Sequence, residues 1–117
     1  MFQFEKFDVW HRATAFASQV YALTADFPSD GRFGLTSQMR RAAISISSNI
    51  TEGSSRTSDA DFSRFVQIAY GSLMEVVSQA AIANKQTFIS DDAYAELYQS
   101  ADELGRMLSG LKSRLSK

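Results

Sequence analysis

Apolar residues recur along the chain in alternating steps of three and four, the signature of helices that bury one face. The first stripe is Val9, Ala13, Phe16, Val20, Leu23 and Phe27. Asp8 in front of it is a good N-cap, and Pro28 with Ser29-Asp30-Gly31 is turn chemistry, so the pattern predicts a helix over residues 8–27. A second stripe, Met39, Ala43, Ile46, Ile50 and Gly53, predicts a helix over 35–55, capped by Thr36 or Ser37 and ended by Gly53-Ser54-Ser55. The third begins at Ser58, an N-cap followed by Asp59 and Asp61 where the helix dipole favours negative charge. Its stripe, Phe62, Val66, Ala69, Leu73, Val76, Ala80 and Ala83, predicts a helix over 59–84, after which Phe88-Ile89 folds back onto the core. The fourth is capped by Ser90, with Asp91 and Asp92 in its first turn. Leu97, Ala101, Leu104, Leu108, Leu111 and Leu115 carry it over 91–115, with Arg106, Lys112 and Arg114 towards the end the dipole favours for cations.

No stretch alternates as a strand does. Four helices of matching length with short connections predict an all-α, up-and-down antiparallel four-helix bundle, with residues 1–117 as one domain. A length of 117 residues is enough for one core, although so short a chain gains from association.

One strip does not fit a plain bundle. Phe65, Ile68, Ser72, Glu75, Gln79 and Ile82 form a second heptad stripe on the third helix, apolar at its ends and polar in its middle. On the second helix Arg41, Ser45, Ser48 and Glu52, with Asn49 beside them, repeat the feature. Such a strip predicts semi-buried groups that need partners. The residues Arg41, Asn49, Glu52, Ser72, Glu75 and Gln79 are therefore the candidate polar network or subunit interface. Asn49, Glu75 and Gln79 are expected to be buried and hydrogen-bonded, with a cost of a few kcal/mol for Glu75→Ala.

Composition mostly removes possibilities. Cysteine is absent, so no disulfide or thiolate metal site forms, which fits a reducing cytoplasm. The lone His11 lacks the Glu-x-x-His pairing of a di-iron bundle and is expected to be partly exposed; no metal or other cofactor is expected. No Gly-x-Ser-x-Gly elbow or phosphate loop occurs. Glu52 and Glu75 could pair as carboxylates, but nothing marks either as an acid or base, and no enzymatic activity is expected. The opening Met1–Lys6 is mixed rather than signal-like, and no apolar run of ~18 residues for a membrane span is read from the sequence.

Net charge is −1, against a general binder of nucleic acid or anionic membrane. The charge is uneven, however. Between Arg32 and Thr57 four basic residues face one acid, between Ser58 and Gly105 two face eight acids, and Arg106–Lys117 has four and no acid. Arg32, Arg40, Arg41 and Arg56 are the candidate contacts if nucleic acid is bound, with Arg41 paired to a carboxylate and Arg40 solvated as the plainer reading. Trp10, Tyr21, Tyr94 and Tyr98 flank the main stripes, at the core edge or at a subunit contact.

The segment Phe33-Gly34-Leu35-Thr36-Ser37-Gln38-Met39-Arg40-Arg41-Ala42-Ala43 resembles the start of the second helix in the bacterial four helix bundle proteins, often encoded in intervening sequences of large-subunit ribosomal RNA genes. Ile46, Ser48-Asn49-Ile50 and Glu52-Gly53 continue the motif; Ser47 stands where proline is usual and Thr51 where alanine is usual. Gly71-Ser72-Leu73, Glu75 and Gln79 are similar to the third-helix motif, with Val77 in place of a second acid, and Phe7-Asp8-Val9-Trp10 with Ala13 resembles the family's opening. The resemblance implies a four-helix bundle assembling into a pentameric ring, with no established enzymatic activity. A similar fold serves as an accessory protein of retroelements that work with nucleic acid. The expectation is a non-catalytic, homo-oligomeric interaction or scaffold protein of the bacterial cytoplasm, with an unidentified protein partner open, nucleic acid at most weakly bound and no membrane contact. A nucleic-acid accessory role is the alternative, and an enzyme using Glu52 and Glu75 a distant third.

Overall fold

A computed structural model describes residues 1–28 and 34–116. After a single 3-10 turn at Gln3–Lys6, four helices follow: α1 (Asp8–Thr24), α2 (Leu35–Ser54), α3 (Asp59–Lys85) and α4 (Asp91–Leu115). No strand occurs among the described residues. The molecule measures 44 × 22 × 22 Å, its long axis set by α3, whose 27 residues rise about 40 Å. The helices pack in cyclic order: α1 on α2, α2 on α3, α3 on α4 and α4 back on α1. Contacts near the helix ends give the antiparallel sense: Arg40 at the start of α2 bonds to Thr24 at the end of α1, Gly53 at the end of α2 meets Phe62 at the start of α3, Lys112 near the end of α4 bonds to Gln67 near the start of α3, and Val9 at the start of α1 lies with Gly110 near the end of α4.

The apolar stripes converge as their spacing requires. Phe16, Val20, Met39, Ile46, Ile50, Leu73, Val76, Leu97, Leu104 and Leu108 lie almost wholly inside. Ile89 is buried with them, and Phe88 packs from the rim, its ring 5.4 Å from that of Phe27.

The helix ends differ in instructive ways. α1 stops at Thr24, three residues before the predicted end, because Pro28 pushes Phe27 out of helical geometry and the chain leaves through a tighter turn, Phe27 N–H to Thr24 C=O. Asp8 is the first helical residue rather than its cap; the N-cap is Phe7, and the aspartate contributes charge at the helix N-terminus. α2 likewise has no side-chain cap: Gly34 precedes it, and Thr36 is buried, its hydroxyl without a hydrogen-bond partner among the described residues. The serine caps hold, Ser58 accepting from Asp61 N–H and Ser90 from Ala93 N–H.

α3 ends in a Schellman motif. Phe88 N–H reaches Ala83 C=O at 2.9 Å and Thr87 N–H reaches Asn84 C=O at 3.0 Å. The motif requires a left-handed residue at Thr87, whose φ is 63°, a conformation a β-branched side chain resists. Thr87→Gly is expected to raise stability by about 1 kcal/mol, read in urea unfolding. A loss of stability would show that the Thr87 side chain contributes more than its strain costs.

Candidate interaction surface

The polar strip lies along the α2–α3 seam, and the structure divides it. At its centre Ser45 and Ser72 share a 2.9 Å hydroxyl bond, and Asn49 Nδ2 donates to Ser45 Oγ and to Ser45 C=O. Ser72 is buried, and Asn49 and Gln79 are half-buried. Gln79 Oε1 is enclosed without a hydrogen-bond partner. This part of the strip is a short hydrogen-bonded seam that lets two helices approach closely.

The charged members of the strip do not join it. Glu75 is exposed, not buried as the heptad placement predicts, and Glu52 and Arg41 are exposed as well. The seam curves away from α3 at Glu75, one step further round the helix than Ser72 and Gln79. Replacing Glu75 by alanine therefore strands no buried partner, and the expected cost of a few kcal/mol does not apply to the isolated chain. Among the described residues no ion pair includes Glu75, Arg41 or Glu52.

The seam closes most tightly at Gly53. A Cβ there would lie 2.7 Å from Phe62 Cδ1 and 2.8 Å from Phe65 Cβ, so only glycine lets the end of α2 meet the start of α3.

The arginine candidates scatter. Arg40 is committed to the bundle: its Nε donates to Thr24 Oγ1 at 2.9 Å, its Nη2 to the Tyr21 carbonyl at 3.3 Å, and its guanidinium lies 4.4 Å from the centre of the Tyr21 ring. It thus places a cation on the last turn of α1, where the dipole favours one, and reverses the expectation of a solvated Arg40 beside a paired Arg41. Arg56 lies over the Phe65 ring, which Arg64 also covers. About 21 Å of α2, from Arg40 to the helix end at Ser54, lies between Arg40 and Arg56. Arg32 lies outside the described residues. His11 is exposed, its Nε2 2.8 Å from the Glu5 carbonyl.

A feature the stripes did not reveal is the outer face of α3. Between Phe65 and Asn84 the sequence carries one charge, Glu75. Length and composition alone would let this helix cross a membrane, contrary to the sequence reading, but its core stripe is taken up by α2 and α4. The outward side remains apolar: Ile68, Met74 and Ile82 are 44%, 43% and 48% exposed. Tyr98 on α4 extends the patch, lining one hollow with Met74, whereas Ile44 on α2 stands apart from it in a depression shared with Tyr21, Arg40 and Arg41. Towards α4 the surface sinks into a cavity of about 370 Å³ lined by Tyr70, Met74, Val77 and Tyr98, with Asp102 and Arg106 on its charged side. Surface helices ordinarily carry charge on this side, and contiguous exposed apolar area marks an interaction site.

Gly71 sits in the middle of that face. It is exposed, and nothing lies within 4 Å of where its Cβ would be. Glycine inside a helix costs roughly 0.5–1 kcal/mol relative to alanine, and no contact within the chain accounts for it. Two signals in the sequence point to this surface: a stretch with a single charge, too long for one buried stripe, and a glycine in mid-helix.

The chain resembles a protein of unknown function from the S23 ribosomal protein family of Bacteroides thetaiotaomicron, with a TM-score of 0.79 and 21% identity over 89% of this chain and 97% of that one. At that identity the likeness speaks for the fold alone. No curated protein matches the chain. The model of the family described as 23S rRNA-intervening sequence protein matches residues 5–110. With nearly the whole bundle matched, the chain belongs to the 23S rRNA-intervening sequence protein family.

Proposed function

We propose that this protein is a non-catalytic, self-associating interaction module whose outer α3 face is covered by another copy. The observation that carries the reading is the run of α3 with Glu75 as its single charge, which leaves three large apolar side chains in solvent on the face that holds Gly71. Burying them supplies free energy in proportion to the area removed from water. A closed ring needs two different faces on each copy. The outer side of α3 and the exposed stripe Arg41, Ile44, Ser48 on α2 supply two such faces. A pentamer in the bacterial cytoplasm is the form the family resemblance suggests.

Nucleic acid remains the weaker reading, since Arg40 spends its hydrogen bonds on α1 and Arg56 lies over Phe65, away from Arg40 and Arg41 along α2. Light scattering on the purified chain at tens of micromolar is the test. The expected mass is a multiple of the 13.0 kDa chain, falling on dilution. A mass of one chain throughout that range would remove the reading.

A further inference from the structure

We infer that the contact between copies is a knob in a notch with a charge lock beside it: Ile44 of one copy enters the gap over Gly71 of its neighbour, and Arg41 meets the neighbour's Glu75. The inference rests on the self-association reading and specifies its contact.

The notch is a property of α3. Gly71 leaves a gap bordered by Ile68, Met74 and Glu75, its neighbours three and four residues away on the helix surface, and no atom of the described residues fills it. A glycine on an open helix face is explained when another chain must come close there. The knob is Ile44, a β-branched side chain 43% exposed with only polar or charged residues on its own exposed stripe.

Glu75 selects the partner surface. It stands midway between Ile68 and Ile82, at seven-residue steps along one exposed stripe. A contact of α3 on α3 about a two-fold axis would align those isoleucines best when centred on Glu75, and would then set two carboxylates against each other. Like charges in a covered contact are strongly disfavoured. Covered by an apolar surface alone, Glu75 would lose its water without compensation. The neighbour must therefore bring a cation. Arg41 is the exposed cation that stands beside Ile44 and forms no ion pair with a described residue; Arg56 lies over the Phe65 ring, Arg64 pairs with Asp61, Lys85 lies at the helix end beyond Ile82, and Lys6 and Arg114 lie beside α1.

The spacing agrees. Arg41 and Ile44 are separated by about 4.5 Å along α2, and Glu75 and Gly71 by about 6 Å along α3. With the neighbour's α2 antiparallel to α3, both contacts form at once. Arginine suits the lock because its planar fork can grip both carboxylate oxygens.

The experiment measures mass by light scattering and folding by thermal melting for wild type, Arg41→Glu, Glu75→Arg and Gly71→Gln. Each variant is expected to melt as a folded helical protein, since all three positions are exposed, yet to lose the assembled mass at concentrations where wild type keeps it. The double variant Arg41→Glu with Glu75→Arg in one chain is expected to regain the mass, because every contact around a ring of any number then joins opposite charges again, whereas a mixture of the two single variants leaves a like-charged contact in a ring of five. A double variant that stays folded and dissociated overturns the lock. Gly71→Gln that keeps the assembled mass overturns the notch. A wild type that is monomeric removes the self-association reading itself, whereas an assembled wild type indifferent to all three changes removes only this contact.

Discussion

Phe16→Ala is expected to cost about 3–5 kcal/mol, as deletion of a buried aromatic does when the cavity cannot collapse. Phe16 is 2% exposed, in the middle of α1. It is the largest of the fully buried side chains, and the first helix offers no other aromatic as deep. A domain of this size has a total stability of about 5–15 kcal/mol, so this one change takes a large part of it. Urea unfolding followed by circular dichroism measures the cost, with Phe2→Ala as the comparison, since Phe2 is 72% exposed and should change stability by under about 0.5 kcal/mol. A cost for Phe16→Ala below about 1.5 kcal/mol would mean the core at α1 repacks or is looser than described.

Gly53→Ala is expected to cost about 1–3 kcal/mol despite alanine's better helix propensity. The new methyl meets Phe65 Cβ at 2.8 Å, and that atom is tied directly to the α3 backbone. A ring can turn aside, as Phe62 could; a Cβ moves only with its helix. Relief thus requires α2 and α3 to separate at the place where their seam is tightest. Gly71→Ala makes the same chemical change in open space and should stabilise the dissociated chain by about 0.5–1 kcal/mol. Opposite signs for the two glycines, measured in urea at a dilution that removes association, would confirm that one glycine serves packing within the chain and the other does not. Equal effects would contradict that division.

The fold was legible because each helix advertised itself twice, by a stripe and by its punctuation. Ser58 and Ser90 cap as their position suggests, and α4 runs over the predicted residues. The errors came where punctuation is ambiguous. Thr36 could have capped α2 by chemistry, but its position turns it into the core. Phe27 belongs to the apolar stripe of α1, yet the proline after it ends the helix earlier.

The surface was harder to read. Heptad spacing gives the angle of a residue around its helix but not how far round the neighbouring helix reaches. Ser72, Gln79 and Glu75 are adjacent on that angle, and the edge of α2 falls between the first two and the third. The same limit hid Met74 and Ile44, which lie outside every core stripe and become conspicuous once the four helices are assembled. Arg40 and Arg41 are neighbours in sequence, and only packing shows that one turns to the end of α1 while the other stays in water.

The central claim, that the outer α3 face is covered by α2 of another copy, can be tested directly because the chain has no cysteine of its own. One chain carrying Ile44→Cys and a second carrying Gly71→Cys are mixed in equal amounts under mild oxidation, and the products are resolved by mass. The account predicts a disulfide-linked pair containing one chain of each kind, formed well above the level seen for either chain alone. Mixed chains that assemble as wild type does but yield no such pair would contradict it.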